Sequence, residues 1–187
     1  MSNIFIRHFF YIRMNTINQI DTYISIAINK LVAGSLYLST PLKYITHTSD
    51  GKIYLLYTIL IPFIVPDIGL DIVKFGILAF SIQVPIYLLL KNRIKRERPS
   101  KHYKIIQIIK PPDKYSFPSG HCASSSLLTL IINLFIPTLT IYLIIWMCII
   151  CISRIGLGLH YFSDVMFGLI LGYSTFKFSE LIYSIYF

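Results

Sequence analysis

The chain has 187 residues, 55% of them hydrophobic, with a mean hydropathy of +0.67 and a formal charge of +9. That balance excludes an ordinary soluble domain of this length and points to a membrane protein. Cys122, Cys148 and Cys151 show neither metal-ligand nor disulfide-framework spacing, so they are expected to be core fillers.

The chain begins with a basic, amphipathic stretch, FIRHFFYIR at 5–13. It has no small-residue cleavage site behind an apolar core, and it reads as an uncleaved segment lying at the membrane interface. A first apolar span is expected from Ile24 to Tyr44, interrupted early by Asn29 and Lys30. A second runs from Ile53 to Val65, and PDIG at 66–69 is expected to turn the chain into a third that ends at Leu90. Asp71 and Lys74 sit near one end of that third span, where pairing or snorkelling is tolerable.

A polar loop follows from Lys91 to Gly120. Nine of the 17 Lys and Arg residues fall between Lys91 and Lys114, so the net charge is largely a property of this loop. It offers no stacking platform beyond Tyr103 and lies between membrane segments, which argues against nucleic acid and for an anionic lipid head group or phosphate ester. Its stretch SKHYKIIQIIKPPDKY reads as a lid or head-group reader whose Ile pairs touch the membrane. The fourth span is Cys122 to Ile136, Pro137 breaks it, the fifth is Leu139 to Ile152, and the sixth is Tyr161 to Phe178. The expected fold is all-α: one domain over 1–187, a six-transmembrane-helix bundle with a polar active-site loop between helices 3 and 4.

Length places the polar motifs. Only 31 residues separate His121 from Ser153, yet two crossings must fit there. At about 1.5 Å rise per residue each crossing is roughly 23 Å, short of the roughly 30 Å hydrocarbon core, so helix ends must sit within the membrane boundary. Two crossings return the chain to the side it left. PSGH at 118–121 and SRIGLGLH at 153–160 therefore emerge together, with the basic loop beside them.

Three polar pieces thus meet: Lys91 with Arg98 and Pro99; Pro118 to His121; and Ser153, Arg154, His160 and Asp164. Ser119 is a potential helix N-cap, and Gly120 leaves backbone amides uncovered, an arrangement suited to an anion. His160 and Asp164 are four apart, so on a helix they share a face, and the carboxylate fixes one imidazole nitrogen while the other acts as nucleophile or base. His121 is left as general acid. Lys91, Arg98, Arg154, Ser119 and the amides near Gly120 can surround the oxygens of a phosphoryl group in an in-line transition state. The combination calls for metal-independent phosphoryl transfer through a phosphohistidine, with no cofactor.

Each residue has a blander alternative. Lys91 or Arg98 alone is a membrane-edge anchor, Gly156 and Gly158 alone are packing residues, and His160 with Asp164 alone is a structural pair. Two histidines, three cations and a buried acid on one membrane face outweigh those separate readings, because such groups are costly near lipid. His47 and His102 have no evident partners and are left outside the site.

The sequence resembles the type 2 phosphatidic acid phosphatase superfamily. Lys91, six residues and then Arg98-Pro99; Pro118-Ser119-Gly120-His121; and Ser153-Arg154, five residues, His160, three residues, Asp164 match its motif without departure. The resemblance implies His160 as nucleophile, Asp164 as its orienting acid, His121 as general acid, and Lys91, Arg98, Ser119, Gly120 and Arg154 as phosphate cradle. It also implies a lipid phosphate or diphosphate as substrate: phosphatidic acid, phosphatidylglycerol phosphate, undecaprenyl diphosphate or a lipid A phosphate. The expected partners are that phosphorylated lipid and the surrounding membrane lipids, with no nucleic acid; the sequence carries no signal for an oligomeric state.

A phosphotransferase using the same intermediate is the enzymatic alternative, and a non-catalytic lipid-phosphate binding or transport protein the other. The positive-inside rule would put the basic loop in the cytoplasm. The resemblance instead implies a site on the periplasmic or other noncytoplasmic face of a bacterial inner membrane, with Arg7 and Arg13 inside. The second orientation is adopted, since phosphate binding accounts for Lys91 and Arg98 and the other basic residues attract anionic head groups.

Overall fold

The computed structural model describes the backbone of residues 2–101 and 104–186, and the side chains of these from residue 18 onward. The basic face expected at 5–13, with Arg7 and Arg13, and loop residues His102 and Tyr103 lie outside the described residues and side chains. The described chain is all helix and loop: α1 (Ser2–Ala33), α2 (Leu36–His47), α3 (Gly51–Ile64), α4 (Pro66–Ile94), α5 (Gly120–Phe135), α6 (Thr140–Gly156) and α7 (Phe162–Tyr186). Short 3-10 turns occupy Pro99–Lys101 and Pro137–Leu139.

Among the described residues, three stretches are long and apolar enough to cross a membrane: Pro66–Lys101, Pro137–Gly156 and Phe162–Tyr186. Gly51–Ile64 and Gly120–Phe135 are apolar but shorter. The outward faces carry Leu55, Ile59, Phe63, Ile77, Ile145 and Phe178, each at least half exposed, as in a chain solvated by lipid. The protein is an integral membrane protein.

Several sequence-level boundaries shift. The span expected over 24–44 is not one helix, because the chain breaks at Gly34–Ser35 between α1 and α2. Both flanks of that region reach the polar end of the molecule, Asp21 through Arg96 and Asp50 through His121. PDIG is not a turn: Val65 alone separates α3 from α4, and Pro66 and Asp67 form the first helical turn, where a missing N–H and an acid are both favourable. Lys91 lies in α4 rather than in the loop, since that helix continues to Ile94 and closes on Lys95 at φ 51°. Asp71 and Lys74 do pair, at 3.1 Å. Of the cysteines, Cys122 is buried but Cys148 is exposed on α6, so it fills no core.

Apolar association has little hydrophobic drive inside lipid, so close packing carries the bundle. Helices α5 and α7 approach closely, so that a Cβ on Gly172 would come within 2.5 Å of the Ala123 carbonyl oxygen. Phe75 and Ala79 of α4, Leu127 and Ile131 of α5 and Phe176 of α7 fill the buried centre. These contacts set helix ends together: α3 and α5 begin, and α4 and α6 finish, beside one cavity lined by Gly51, Lys91, Gly120 and Arg154. PSGH and SRIGLGLH, expected from chain length to emerge together, meet at this cavity through His121, Arg154 and His160.

Candidate active site

That cavity has a volume of about 480 Å³ and brings Lys91, Arg98, Gly120, His121, Arg154 and His160 onto one wall system. Ser119 and Asp164, the other two expected site residues, are fully buried and do not line it. Ser119 occupies the N-cap position of α5 but makes no capping bond; its hydroxyl donates to Cys122 Sγ at 3.1 Å. Its backbone N–H donates to the Asp164 carbonyl at 3.0 Å, which ties the start of α5 to α7.

His160 precedes α7, so it does not share a regular helix face with Asp164. Asp164, third residue of α7, reaches back to the Tyr161 N–H at 2.9 Å and thereby caps the helix. His160 Nδ1 lies 3.7 Å from Asp164 Oδ2, an ion-pair distance but beyond a hydrogen bond. Burial favours the neutral imidazole and pushes His160 down to about 3, against the opposing pull of Asp164. A neutral ring keeps a lone pair, as a nucleophile requires.

The three cations are not equivalent. Lys91 Nζ donates to Asp113 Oδ2 at 2.6 Å and to the Tyr87 hydroxyl at 2.5 Å. Arg98 donates to Asp113 Oδ1 at 2.8 Å, to the Asp113 carbonyl at 3.2 Å and to the Leu159 carbonyl at 2.5 Å. Asp113 therefore bridges both cations with one carboxylate oxygen each. Burial works against its charge, but the Lys91 and Arg98 contacts prevail and hold its carboxyl below the usual range. Arg154 is different: it is 2% exposed, Nη1 donates to Thr46 Oγ1 at 3.1 Å, and Nε and Nη2 have no hydrogen-bond partner among the described residues. A buried guanidinium with two unmatched donors at a cavity is built for an anion.

Behind the site, Arg96 joins Asp164 and Asp21, each at 2.7 Å, and stacks over the Tyr161 ring at 3.9 Å. Asn29, read from the sequence as an interruption of an apolar span, is a buried staple. Its amide donates to the Ile106 and Gly156 carbonyls, and its oxygen accepts from the Ile106 N–H. This holds the loop against α1 and against Gly158, whose φ of +78° and 2.4 Å approach of the Ile106 oxygen to an added Cβ leave room for glycine alone. Ile105 is buried by that stapling, whereas Ile106 is exposed.

A model of the PAP2 superfamily matches residues 74–185, most of the chain and all of the polar motifs. The chain belongs to the PAP2 superfamily. Two solved structures share its fold. The transmembrane PAP2 type phosphatidylglycerolphosphate phosphatase from Bacillus subtilis aligns over 92% of this chain and 89% of its own, with TM-score 0.74 and 23% identity. LpxE of Aquifex aeolicus aligns over 84% and 92%, with TM-score 0.75 and 22% identity. Decaprenylphosphoryl-5-phosphoribose phosphatases from two strains of Mycobacterium tuberculosis are 34% identical over 91 residues, 46% of this chain. The chain spans about half the length of these curated relatives, 48%.

The motif does not name Asp50, Tyr87 and Asp113, which line the cavity, or Asp21 and Arg96, which stand behind it. A signal for the acids was present: the chain has only eight Asp and Glu, and an acid in so apolar a chain needs a partner. Arg96 had none, being one of nine basic residues in a row of similar ones. His47, left aside for want of a partner, lies 2.8 Å from Asp50 through Nδ1.

Proposed function

We propose that this PAP2 protein is a membrane lipid phosphatase acting through a phosphohistidine. The observation that carries the reading is the continuity of two cavities. The polar cavity shares Gly51, Tyr87, Gly120 and His121 with a small adjoining pocket. That pocket shares Gly51, Val84 and Ser124 with an apolar groove of about 440 Å³ between α3, α4 and α5. A phosphate in the first and a hydrocarbon tail in the second describe one amphiphile.

In the reaction, the neutral imidazole of His160 attacks phosphorus with the nitrogen turned away from Asp164. The bond from phosphorus to the leaving oxygen breaks, and His121 gives that oxygen its proton. Water then attacks the phosphohistidine, His121 takes a proton from the water, and inorganic phosphate leaves with His160 restored. Arg154 meets the charge that develops on the nonbridging oxygens, and Lys91 and Arg98 join it when the phosphoryl group displaces Asp113. The amides at Gly120 complete the cradle, with Ser119 supporting it from behind.

The layout belongs to the same reading. Six crossings are made by α1 and α3–α7, the site loop lies between the third and fourth of these, and the site faces the noncytoplasmic side of a bacterial inner membrane. The substrate belongs among phosphatidic acid, phosphatidylglycerol phosphate, undecaprenyl diphosphate, lipid A phosphates and the prenyl-linked sugar phosphates suggested by the mycobacterial relatives.

The test is phosphate release by purified protein in detergent across those classes, with chelator present. At least one class is expected to be hydrolysed, and His160→Ala is expected to abolish release while eluting as folded protein. Equal turnover by His160→Ala, or no release from any class, would overturn the proposal.

A further inference from the structure

We infer that Asp50 is the positioning carboxylate of His121, the counterpart for the general acid of what Asp164 is for His160. This rests on the phosphatase reading above. Asp50 stands between α2 and α3, and its Oδ1 lies 2.8 Å from His121 Nε2. A carboxylate only accepts at that distance, so Nε2 carries hydrogen and Nδ1 is left for the leaving oxygen. When Nδ1 is also protonated, the resulting imidazolium sits directly against a negative charge.

The neighbouring residues show a built arrangement rather than a chance surface pair. Ser49, 2% exposed, donates to the His121 backbone carbonyl at 3.1 Å, so adjacent residues hold both the backbone and the ring of His121. Thr46 accepts from Arg154, and Thr48 accepts from the indole N–H of Trp146 at 2.8 Å. Residues 46–50 thus form a strap across the general acid and the open guanidinium. All of them precede residue 74, where the superfamily match begins.

Charge separates the two acids on the cavity wall. Asp113 is taken by Lys91 and Arg98, whereas Asp50 meets imidazoles, His121 through Oδ1 and the exposed His47 through Oδ2. Asp50 sits at the N-cap position of α3 but makes no capping bond, so its carboxylate is not committed to starting that helix.

A positioning role predicts a signature that simple loss of structure lacks. General acid catalysis matters most when the leaving group is a poor one, and hardly at all when it departs as a stable anion. Rates are to be measured on a graded series from alkyl phosphates through phenyl phosphate to p-nitrophenyl phosphate. The enzymes are wild type, Asp50→Asn, Asp50→Ser, Asp50→Glu, His121→Ala and the Asp50→Asn/His121→Ala double variant, each checked as monodisperse. Asn and Ser both keep a good N-cap residue, so the start of α3 is preserved.

Asp50→Asn and Asp50→Ser are expected to lose about tenfold or more on alkyl phosphate and less than about threefold on p-nitrophenyl phosphate. Asp50→Glu is expected to recover part of the loss, and the double variant to be no slower than His121→Ala. A steep series for His121→Ala with a uniform drop for the Asp50 variants would overturn this inference and leave the phosphatase reading standing. A wild type that releases no phosphate from any member, or a flat series for His121→Ala, would remove the general-acid assignment and this inference with it.

Discussion

Arg96 donates to Asp164 Oδ1 at 2.7 Å and to Asp21 Oδ2 at 2.7 Å, so a single guanidinium neutralises two buried carboxylates from opposite ends of the chain. Removing a partner from such a pair leaves charge uncompensated in a dry site. Arg96→Met should destabilise the protein by about 3 kcal/mol, held to the low end of the range for buried pairs because Arg96 is 26% exposed on its side chain. Arg96→Lys should fall between, since it keeps the charge but not the fork. Thermal unfolding in detergent reads both, and a wild-type unfolding temperature for Arg96→Met would show that Asp21 and Asp164 do not depend on it.

Arg154 should contribute to turnover rather than to folding. Two of its three nitrogens meet no acceptor among the described residues, so the chain loses little when they are removed. A desolvated contact to transition-state charge is worth about 2 kcal/mol or more, about thirtyfold in rate. Arg154→Ala should lower kcat/KM by at least that factor, and Arg154→Lys should not restore it, because a point charge cannot reproduce two parallel donors. Unchanged initial rates at low substrate would remove Arg154 from the cradle.

Asp113 competes with phosphate for Lys91 and Arg98, which it bridges at 2.6 and 2.8 Å. Asp113→Asn keeps the shape and lowers the attraction, so an incoming anion displaces a weaker rival. Inhibition by inorganic phosphate should tighten by about fivefold, equivalent to about 1 kcal/mol. If phosphate bound more weakly to Asp113→Asn, the carboxylate would be holding the two cations in place for the ligand instead of competing with it.

How far these features could be read from residues alone differs between parts of the site. His121, His160, Lys91 and Arg154 stand in fixed spacings, and span parity sufficed to gather them. The break at Gly34–Ser35 was hidden because both sides of it are apolar, and hydropathy does not register direction. The shared helix face expected of His160 and Asp164 is absent because an i, i+4 rule assumes a helix, whereas α7 begins only at Phe162, after His160; the two side chains still approach to 3.7 Å. Asp21, Asp50 and Asp113 meet their partners across 75, 71 and 22 residues, separations at which sequence carries no pairing rule.

Gly158 joins α6 to His160 through a left-handed backbone, φ +78°, under the Ile106 carbonyl. Gly158→Ala adds both conformational strain and a clash, together about 1–3 kcal/mol. The unfolding temperature should drop, and activity should fall with it, because the loop rests on the turn that carries His160. An unfolding temperature unchanged by the added methyl would mean that the loop gives way there freely.

Asp50 should also leave a mark on acid stability. Its carboxyl lies at about 2 against an ordinary 3.8, chiefly through the hydrogen bond from His121, with burial opposing and His47 assisting. A carboxyl depressed in the folded state stabilises fully above its unfolded value, and that stabilisation is lost as pH falls through the folded one. The window is therefore from about pH 4 down to about pH 2, and the size is modest because the Asp50 side chain is 40% exposed. The gap in unfolding temperature between wild type and Asp50→Asn should narrow as pH falls through that window. His121→Ala should narrow it as well, by removing the main cause of the shift. A gap independent of pH would show that the 2.8 Å contact between Asp50 and His121 contributes no charge stabilisation to the fold.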